Sequence, residues 1–167
     1  MSNAINEDLI DKFAPADVRD TVSWLKDHRF VMVASDTDRG TFGSRWVFAR
    51  SATEVYVTID RSQWLLDIVP YRGGDPIQYD LLVAAHQGQD YRDCFPQSGY
   101  EHPEGLPSQL PPGVSWLHTL PQVLSWLDSE SYNALAVERA RDQRYVRMWP
   151  DSPKARRLLR SWGEGCL

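Results

Sequence analysis

The sequence predicts a single α+β domain with an N-terminal helix, a three- to four-stranded antiparallel sheet, and C-terminal helices packed on that sheet. The chain has 167 residues, a usual length for one domain. Helical periodicity comes first, then a series of short β-branched and aromatic runs, and then helical patterns again. Strands that follow one another with no helix between them indicate antiparallel pairing.

The first helix is predicted over residues 15–28. Pro15 suits the first helical turn, where its missing N–H has no partner in any case. Val18, Val22 and Leu25 then form an apolar stripe opposite charged residues, so this helix is expected to cover a core. Residues 1–10 are predicted to be flexible.

Four runs predict the strands. Phe30–Ala34 is apolar and ends at a turn-rich cluster, and Arg45–Arg50 and Glu54–Ile59 form a hairpin around a short polar link. Gln63–Val69 continues the sheet as far as Pro70. Apolar and polar residues alternate in the second hairpin strand, which predicts one buried face and one face partly exposed to water.

Four helices are predicted after the sheet. Asp75 as a cap, with Pro76 in the first turn, predicts a helix that reaches about His86. The other three are predicted over 119–128, 131–148 and 152–162. The helix over 131–148 has a weak apolar pattern, so we expect it to be mostly exposed with a narrow buried edge.

Residues 88–118 form a long segment rich in proline and glycine. It holds five prolines and four glycines. Structureless stretches longer than about 12–15 residues are uncommon in compact domains unless they have a function or are disordered. The segment therefore fits a partner-binding loop, and equally a strap that buries Phe95, Leu106 and Leu110.

Composition and motifs exclude several classes of protein. No run approaches the roughly 18 apolar residues of a membrane span, and acidic residues stand where a signal peptide is apolar, so we expect a cytoplasmic protein without membrane contact. Cys94 and Cys166 make neither a disulfide framework nor a zinc set. Isolated histidines, and the lack of a Gly-x-Ser-x-Gly or phosphate-binding glycine motif, predict no metal, no cofactor and no enzymatic activity.

One enzymatic alternative stays open, because carboxylates that are distant in sequence can meet in a fold. Asp60, Arg61 and Asp67 flank Trp64 in the predicted sheet, where a pair of carboxylates would serve general acid–base catalysis. Salt bridges at strand ends explain the same residues without catalysis.

Charge is unevenly distributed along a chain whose net charge is −5. Residues 61–138 hold ten acidic and three basic residues, whereas residues 139–167 hold three acidic and eight basic ones. The basic end is interleaved with Tyr145, Trp149 and Trp162, which is the composition of a groove for single-stranded nucleic acid. Nucleic-acid-binding domains are more often basic overall, so a nucleic-acid partner is disfavoured and the basic end is expected to face the acidic middle within the fold.

Four of the seven tryptophans fall into two groups. Trp46 and Trp64 lie on predicted strands and are expected in the core. Trp24 and Trp126 lie off the apolar stripes of their helices, which favours a helix edge or an interface.

The segment Val55–Ile68 contains a strand, the turn Asp60-Arg61-Ser62-Gln63-Trp64 and a second strand, after an N-terminal helix and before C-terminal helices. It resembles the immunity proteins that bacteria encode beside polymorphic toxins. The resemblance implies an α+β domain without catalysis that binds one cognate toxin domain and occludes its active site. An acidic chain would meet a basic toxin, and such complementarity speeds association.

Under this interpretation the contact residues are predicted among the acidic and aromatic side chains of the long segment. They are Asp90, Tyr91, Asp93, Tyr100, Glu101 and Glu104. Carboxylates there would mimic phosphate toward a nuclease or occupy a NAD-type site, and the sequence does not distinguish the two. The helices that carry Trp24 and Trp126 are the alternative interface.

Overall fold

The computed structural model describes residues 8–37, 43–60, 63–95, 110 and 114–164. Within them, five strands form one antiparallel sheet and the main helices pack on it, which confirms the predicted α+β class. The strands are β1 (Val31–Thr37), β2 (Gly43–Arg50), β3 (Thr53–Asp60), β4 (Gln63–Val69) and β5 (Ile77–Gln78). The helices are α1 (Asp8–Phe13), α2 (Ala16–Asp27), α3 (Tyr79–Gln87), α4 (Tyr91–Cys94), α5 (Leu120–Leu127), α6 (Ala134–Met148) and α7 (Pro153–Ser161).

The sheet is a simple meander in which each strand pairs with the next one along the chain. A β-bulge between Met32 and Ala34 shifts the register of β1 against β2. The registers of β2 with β3 and of β3 with β4 run unbroken, so side chains alternate strictly between the two faces.

One face of the sheet forms the core together with the helices. Trp46 and Phe48 of β2 lie opposite Val57 and Val55 of β3, and all four side chains are buried. Trp46 and Trp64 stack with their ring centroids 5.9 Å apart, as expected for core tryptophans. The opposite face keeps half-buried positions on β2, β3 and β4, so the alternation seen in the sequence reports burial correctly.

Two boundaries differ from the sequence prediction. Residues 8–10, predicted to be flexible, begin α1, because Ile10 is buried in the core. The helix predicted from Asp75 begins only at Tyr79. Ile77 pairs with Ile68 in the sheet and keeps the chain extended, so Asp75 does not cap the helix and the capping position falls to Gln78.

The long segment contains more regular structure than its composition predicts. Short helices occupy Tyr91–Cys94 at its start and Trp116–His118 near its end. The helix predicted over 131–148 begins at Ala134, and a stripe of Val137, Ala140 and Val146 is its buried edge. No helix in the described residues is both long and apolar enough to cross a membrane.

Candidate partner-binding segment

The structure describes three of the six predicted contact residues. Asp90, Tyr91 and Asp93 lie at the start of the long segment, on and beside α4. Tyr100, Glu101 and Glu104 lie outside the described residues. The three described residues have different environments.

Asp90 is fixed within the fold by several donors. Its side chain caps α4 by accepting a hydrogen bond from the Arg92 backbone N–H at 2.9 Å. The Arg92 guanidinium also binds both carboxylate oxygens, through Nε at 2.9 Å and Nη2 at 2.7 Å. The Gln143 amide of α6 donates to Oδ2 at 3.0 Å. The hydrogen bond from Arg92 lowers the pKa of Asp90, so the residue is ionised at neutral pH.

Arg92 connects this carboxylate to the C-terminal end of the described chain. It donates to both carboxylate oxygens of Glu164, at 2.8 and 3.0 Å, and this lowers the pKa of Glu164. Its guanidinium also lies over the Trp162 ring, 5.5 Å from the centroid, and Arg139 of α6 lies 5.3 Å from the same centroid. Bidentate pairing suits the planar guanidinium, so Arg92 holds α4 and the end of α7 together.

Tyr91 is buried beneath this pair. Its hydroxyl donates to Asp80 Oδ2 of α3 at 2.7 Å, and its backbone N–H donates to Gln143 Oε1 at 2.9 Å. Arg144 of α6 forms an ion pair with Asp80 at 3.2 Å. Burial raises the pKa of Tyr91, and the Asp80 charge raises it further, so the hydroxyl stays a donor. The Tyr91 side chain therefore joins α3, α4 and α6, and it is not part of an open surface.

Asp93 is exposed, and it is the described contact residue whose carboxylate is open to a partner. The neighbouring Cys94 thiol is half-buried and donates to the side-chain oxygens of Gln87 and Gln89. Burial raises the pKa of Cys94, and the charge of Asp93 raises it further, so the thiol is protonated at neutral pH.

Buried residues anchor both ends of residues 96–109. Phe95 is buried and its ring centroid lies 4.9 Å from that of Tyr91. On the far side Leu110 is buried, and Trp116 is completely enclosed. The Ser115 hydroxyl donates to the Asp17 carboxylate of α2, and the Tyr79 hydroxyl donates to the Trp116 carbonyl oxygen at 3.2 Å. Phe95 and Leu110 are thus buried as the strap hypothesis predicts, and Leu106 lies outside the described residues.

A recess of about 230 Å³ lies beside Asp90, between α3 and α6. Its small residues are Ala84, Ala85, Gly88 and Ala136, and its polar residues are Gln89, Asp90, Arg139 and Gln143. Asp90 and Gln143 already bond to each other at this place. A volume of this size accommodates a partner's side chain beside the start of the long segment.

The two carboxylates of the enzymatic alternative lie far apart along the sheet. Asp67 pairs with Tyr56 in the sheet, and Asp60 lies four residues further along β3. At about 3.3 Å per residue, the two carboxylates are separated by roughly 13 Å along the strands. Glycosidase carboxylates lie at most about 9.5 Å apart. Asp60 and Asp67 are therefore too far apart for the carboxylate pair of a glycosidase, and Arg61 lies outside the described residues.

The expected contact between the acidic middle and the basic end is found on α6. Arg144 binds Asp80, the Arg147 guanidinium donates to the Arg92 carbonyl oxygen at 3.5 Å, and Arg141 pairs with Glu138. The exposed arginines of α7 are different: within the described residues the side chains of Arg156, Arg157 and Arg160 make no hydrogen bond or ion pair.

The two tryptophans proposed for an interface pack mainly against nearby residues. Trp24 stacks on His28 with ring centroids 3.9 Å apart, and His28 closes α2 as expected. Trp126 donates its ring N–H to the Ser131 carbonyl oxygen at 3.0 Å and contacts Tyr132 edge to face. Both side chains remain half-buried, so part of each ring is accessible.

Sequence reasoning missed the central roles of Gln143 and Arg92. Gln143 is buried and bonds to both Tyr91 and Asp90. Gln143 lies three residues after Ala140 and three before Val146, which places it on the buried stripe of α6. This spacing was the one feature of the sequence that could have indicated its burial. No local signal indicates the pairing of Arg92 with Glu164, which is 72 residues away.

In the described part of the chain, no group of three or more His, Cys, Asp or Glu side chains is arranged to hold a metal ion. No family model matches the chain, and neither the curated proteins nor the solved structures contain a match to it.

Proposed function

We propose that this chain is an immunity protein, which binds a cognate bacterial toxin domain and neutralises it by occluding its active site. The observation that carries the proposal is the anchoring of residues 96–109 at both ends. Those residues include Tyr100, Glu101 and Glu104, and Asp93 lies just before them. Binding residues are often found on loops that a rigid scaffold positions.

The first anchor is polar. Asp90, Arg92 and Glu164 form a continuous charged cluster, and Tyr91 joins the buried pair of Asp80 and Arg144 beneath it. A network whose members satisfy one another holds its elements in one arrangement. A partner that binds here need not supply the free energy of ordering α4.

The second anchor is apolar. Leu110 and Trp116 are buried, the Ser115 hydroxyl donates to Asp17 of α2, and the Tyr79 hydroxyl of α3 donates to the Trp116 carbonyl oxygen. Phe95 and Leu110, the described residues on either side of residues 96–109, are thus both buried in the core. Fixed ends limit the conformations of the residues between them, which lowers the entropy lost on binding.

Charge supports a basic partner. Residues 61–138 have an excess of acidic residues, and Arg144 pairs with Asp80 and Arg92 with Asp90, whereas Asp93 is exposed. An acidic surface steers a basic partner toward it and raises the association rate. A toxin domain that acts on a phosphate-rich substrate needs basic side chains to bind that substrate.

The test is a viability assay in bacteria. The toxin domain encoded beside this chain is expressed with the wild type, with Asp93→Lys/Glu101→Lys, or with the matched charge control Asp20→Lys/Asp128→Lys. We expect the wild type and the control to restore growth and the first pair of reversals to reduce rescue at least tenfold. A toxin that the wild type does not neutralise would overturn the proposal, and equal rescue by all three would overturn the segment as the interface.

A further inference from the structure

We infer that the exposed face of α7, together with Trp149, binds the phosphate backbone and bases of a single-stranded nucleic acid. The inference stands apart from the proposed immunity function, because it concerns a different surface of the molecule. Within the described residues, the internal charge network leaves the exposed arginine side chains of α7 without partners.

The charge of α7 is concentrated on one stripe. Arg156 and Arg160 are four residues apart and Arg157 and Arg160 are three apart, so the three side chains are neighbours on the helix surface. Ala155 is buried and Leu158 and Leu159 are half-buried, which turns the arginines outward. Residues 152–163 contain four basic residues and no acidic one.

Two nearby acidic groups of the described chain are already engaged, and Asp151, in the turn before α7, is exposed. Glu164 binds Arg92, and Asp142 binds Lys154 at 3.6 Å. Nucleic acids, by contrast, present a continuous row of phosphates, and arginine binds phosphate with its planar fork of donors. The net charge of −5 opposes this only weakly, because at physiological salt charges more than about 8 Å away are largely screened.

Trp149 favours a single strand over a duplex. It lies between α6 and α7 and is 58% exposed, although a large aromatic ring is normally buried. A single turn, closed by the Ser152 N–H donating to the Trp149 carbonyl oxygen, separates it from the start of α7. Exposed aromatic rings beside basic side chains stack with unpaired bases, which a duplex does not offer.

The experiment measures the fluorescence anisotropy of a labelled mixed-sequence DNA strand of about 20 nucleotides, longer than the site of a single binding domain. Three phosphate contacts on a single strand predict a slope near −2 in log K against log salt. Raising the salt from about 50 to about 200 mM should therefore weaken binding about 20-fold. The same strand annealed to its complement should bind several-fold more weakly.

The decisive variant is Arg156→Gln/Arg157→Gln/Arg160→Gln. We expect it to weaken binding at least tenfold and to remove most of the salt dependence. The matched control is Lys12→Gln/Arg19→Gln/Arg72→Gln, which changes the net charge equally at exposed positions elsewhere and should bind like the wild type. Trp149→Ala should weaken binding about tenfold and leave the salt dependence unchanged, because it removes base stacking and no charge.

Several outcomes would overturn the inference. The wild type should raise the anisotropy below about 100 μM at low salt, within the usual range of weak non-specific binding. No rise in anisotropy in that concentration range would contradict a site on α7. Equal losses of affinity in the arginine variant and its control would also contradict it. If the arginine variant binds DNA normally but fails to neutralise the toxin, α7 serves a protein partner instead.

Discussion

Helices α6 and α7 are adjacent and both are basic, but their charges have different environments. On α6, Arg144 binds the buried Asp80, Arg147 reaches a backbone carbonyl and Arg139 lies over Trp162. On α7, Arg156 and Arg160 are exposed and unpaired within the described chain. Composition therefore reports how much charge a segment carries, but not whether that charge stabilises the fold or remains available to a partner.

The difference arises from the elements that each helix contacts. α6 packs against α3 and α4, which supply Asp80 and Asp90, whereas α7 packs mainly on α6, which is itself basic. A buried carboxylate needs a partner because burying an unpaired charge is costly. An exposed arginine on an outer helix has no such requirement, so the contacts of the described chain do not account for its charge.

The largest effect that this comparison predicts is that of Asp80→Ala. The change leaves the Tyr91 hydroxyl and the Arg144 guanidinium without their acceptor in a largely buried place. Removing one member of a buried pair typically costs about 3–5 kcal/mol of the free energy of unfolding. Urea unfolding followed by tryptophan fluorescence measures it, with the exposed Asp20→Ala as control. A loss below about 1 kcal/mol, the usual value for surface changes, would show that α6 does not depend on this pair.

A smaller loss in the free energy of unfolding is predicted for Tyr91→Phe, because this change removes one hydrogen bond and leaves the ion pair of Asp80 and Arg144 in place. A hydrogen bond to a charged group contributes about 1.5–3 kcal/mol. Tyr145→Phe is the matched control, because the Tyr145 hydroxyl makes no hydrogen bond in the described residues. Equal unfolding free energies for the two variants would mean that Asp80 finds another donor.

Asp90→Asn tests the charge of the α4 anchor through pH. Asn keeps an oxygen that caps α4 and removes the negative charge, so the wild type should be more stable by about 1 kcal/mol at pH 7. The folded state lowers the pKa of Asp90, so this advantage is present above the ordinary value of 3.8 and is lost as the pH falls through the lowered pKa. Unfolding curves between pH 7 and pH 2 measure it. The control is the exposed Asp93→Asn, which should be about as stable as the wild type across this range. A stability difference between the wild type and Asp90→Asn that grows as the pH falls would contradict a lowered pKa of Asp90.

The fold was predictable where local patterns and burial agree. The alternation in Thr53–Asp60 and the stripe of α2 are local signals, and both elements formed where they were expected. The two-residue strand β5 was not predictable, because it exists only through the pairing of Ile77 with Ile68. A tertiary contact of this kind overrides a good capping sequence.

The candidate site was less predictable than the fold. The long segment and its acidic residues could be identified from composition, but Asp90 and Tyr91 proved to bind inside the molecule. Their partners are distant in sequence: Gln143 lies 53 residues from Asp90, and Glu164 lies 72 from Arg92. A charged residue in a loop has the same local sequence whether it faces water or an arginine.

The smallest predicted effect on stability is also the one that most directly separates the two helices. Arg156→Gln/Arg157→Gln/Arg160→Gln should change the free energy of unfolding by no more than about 0.5 kcal/mol, because surface substitutions without partners rarely do more. Arg144→Gln/Arg147→Gln on α6 should cost several times as much, since Asp80 would lose its ion pair. Urea unfolding of both variants at neutral pH makes the measurement. A loss on α7 as large as that on α6 would mean that its arginines stabilise the fold, and a partner would no longer be needed to explain them.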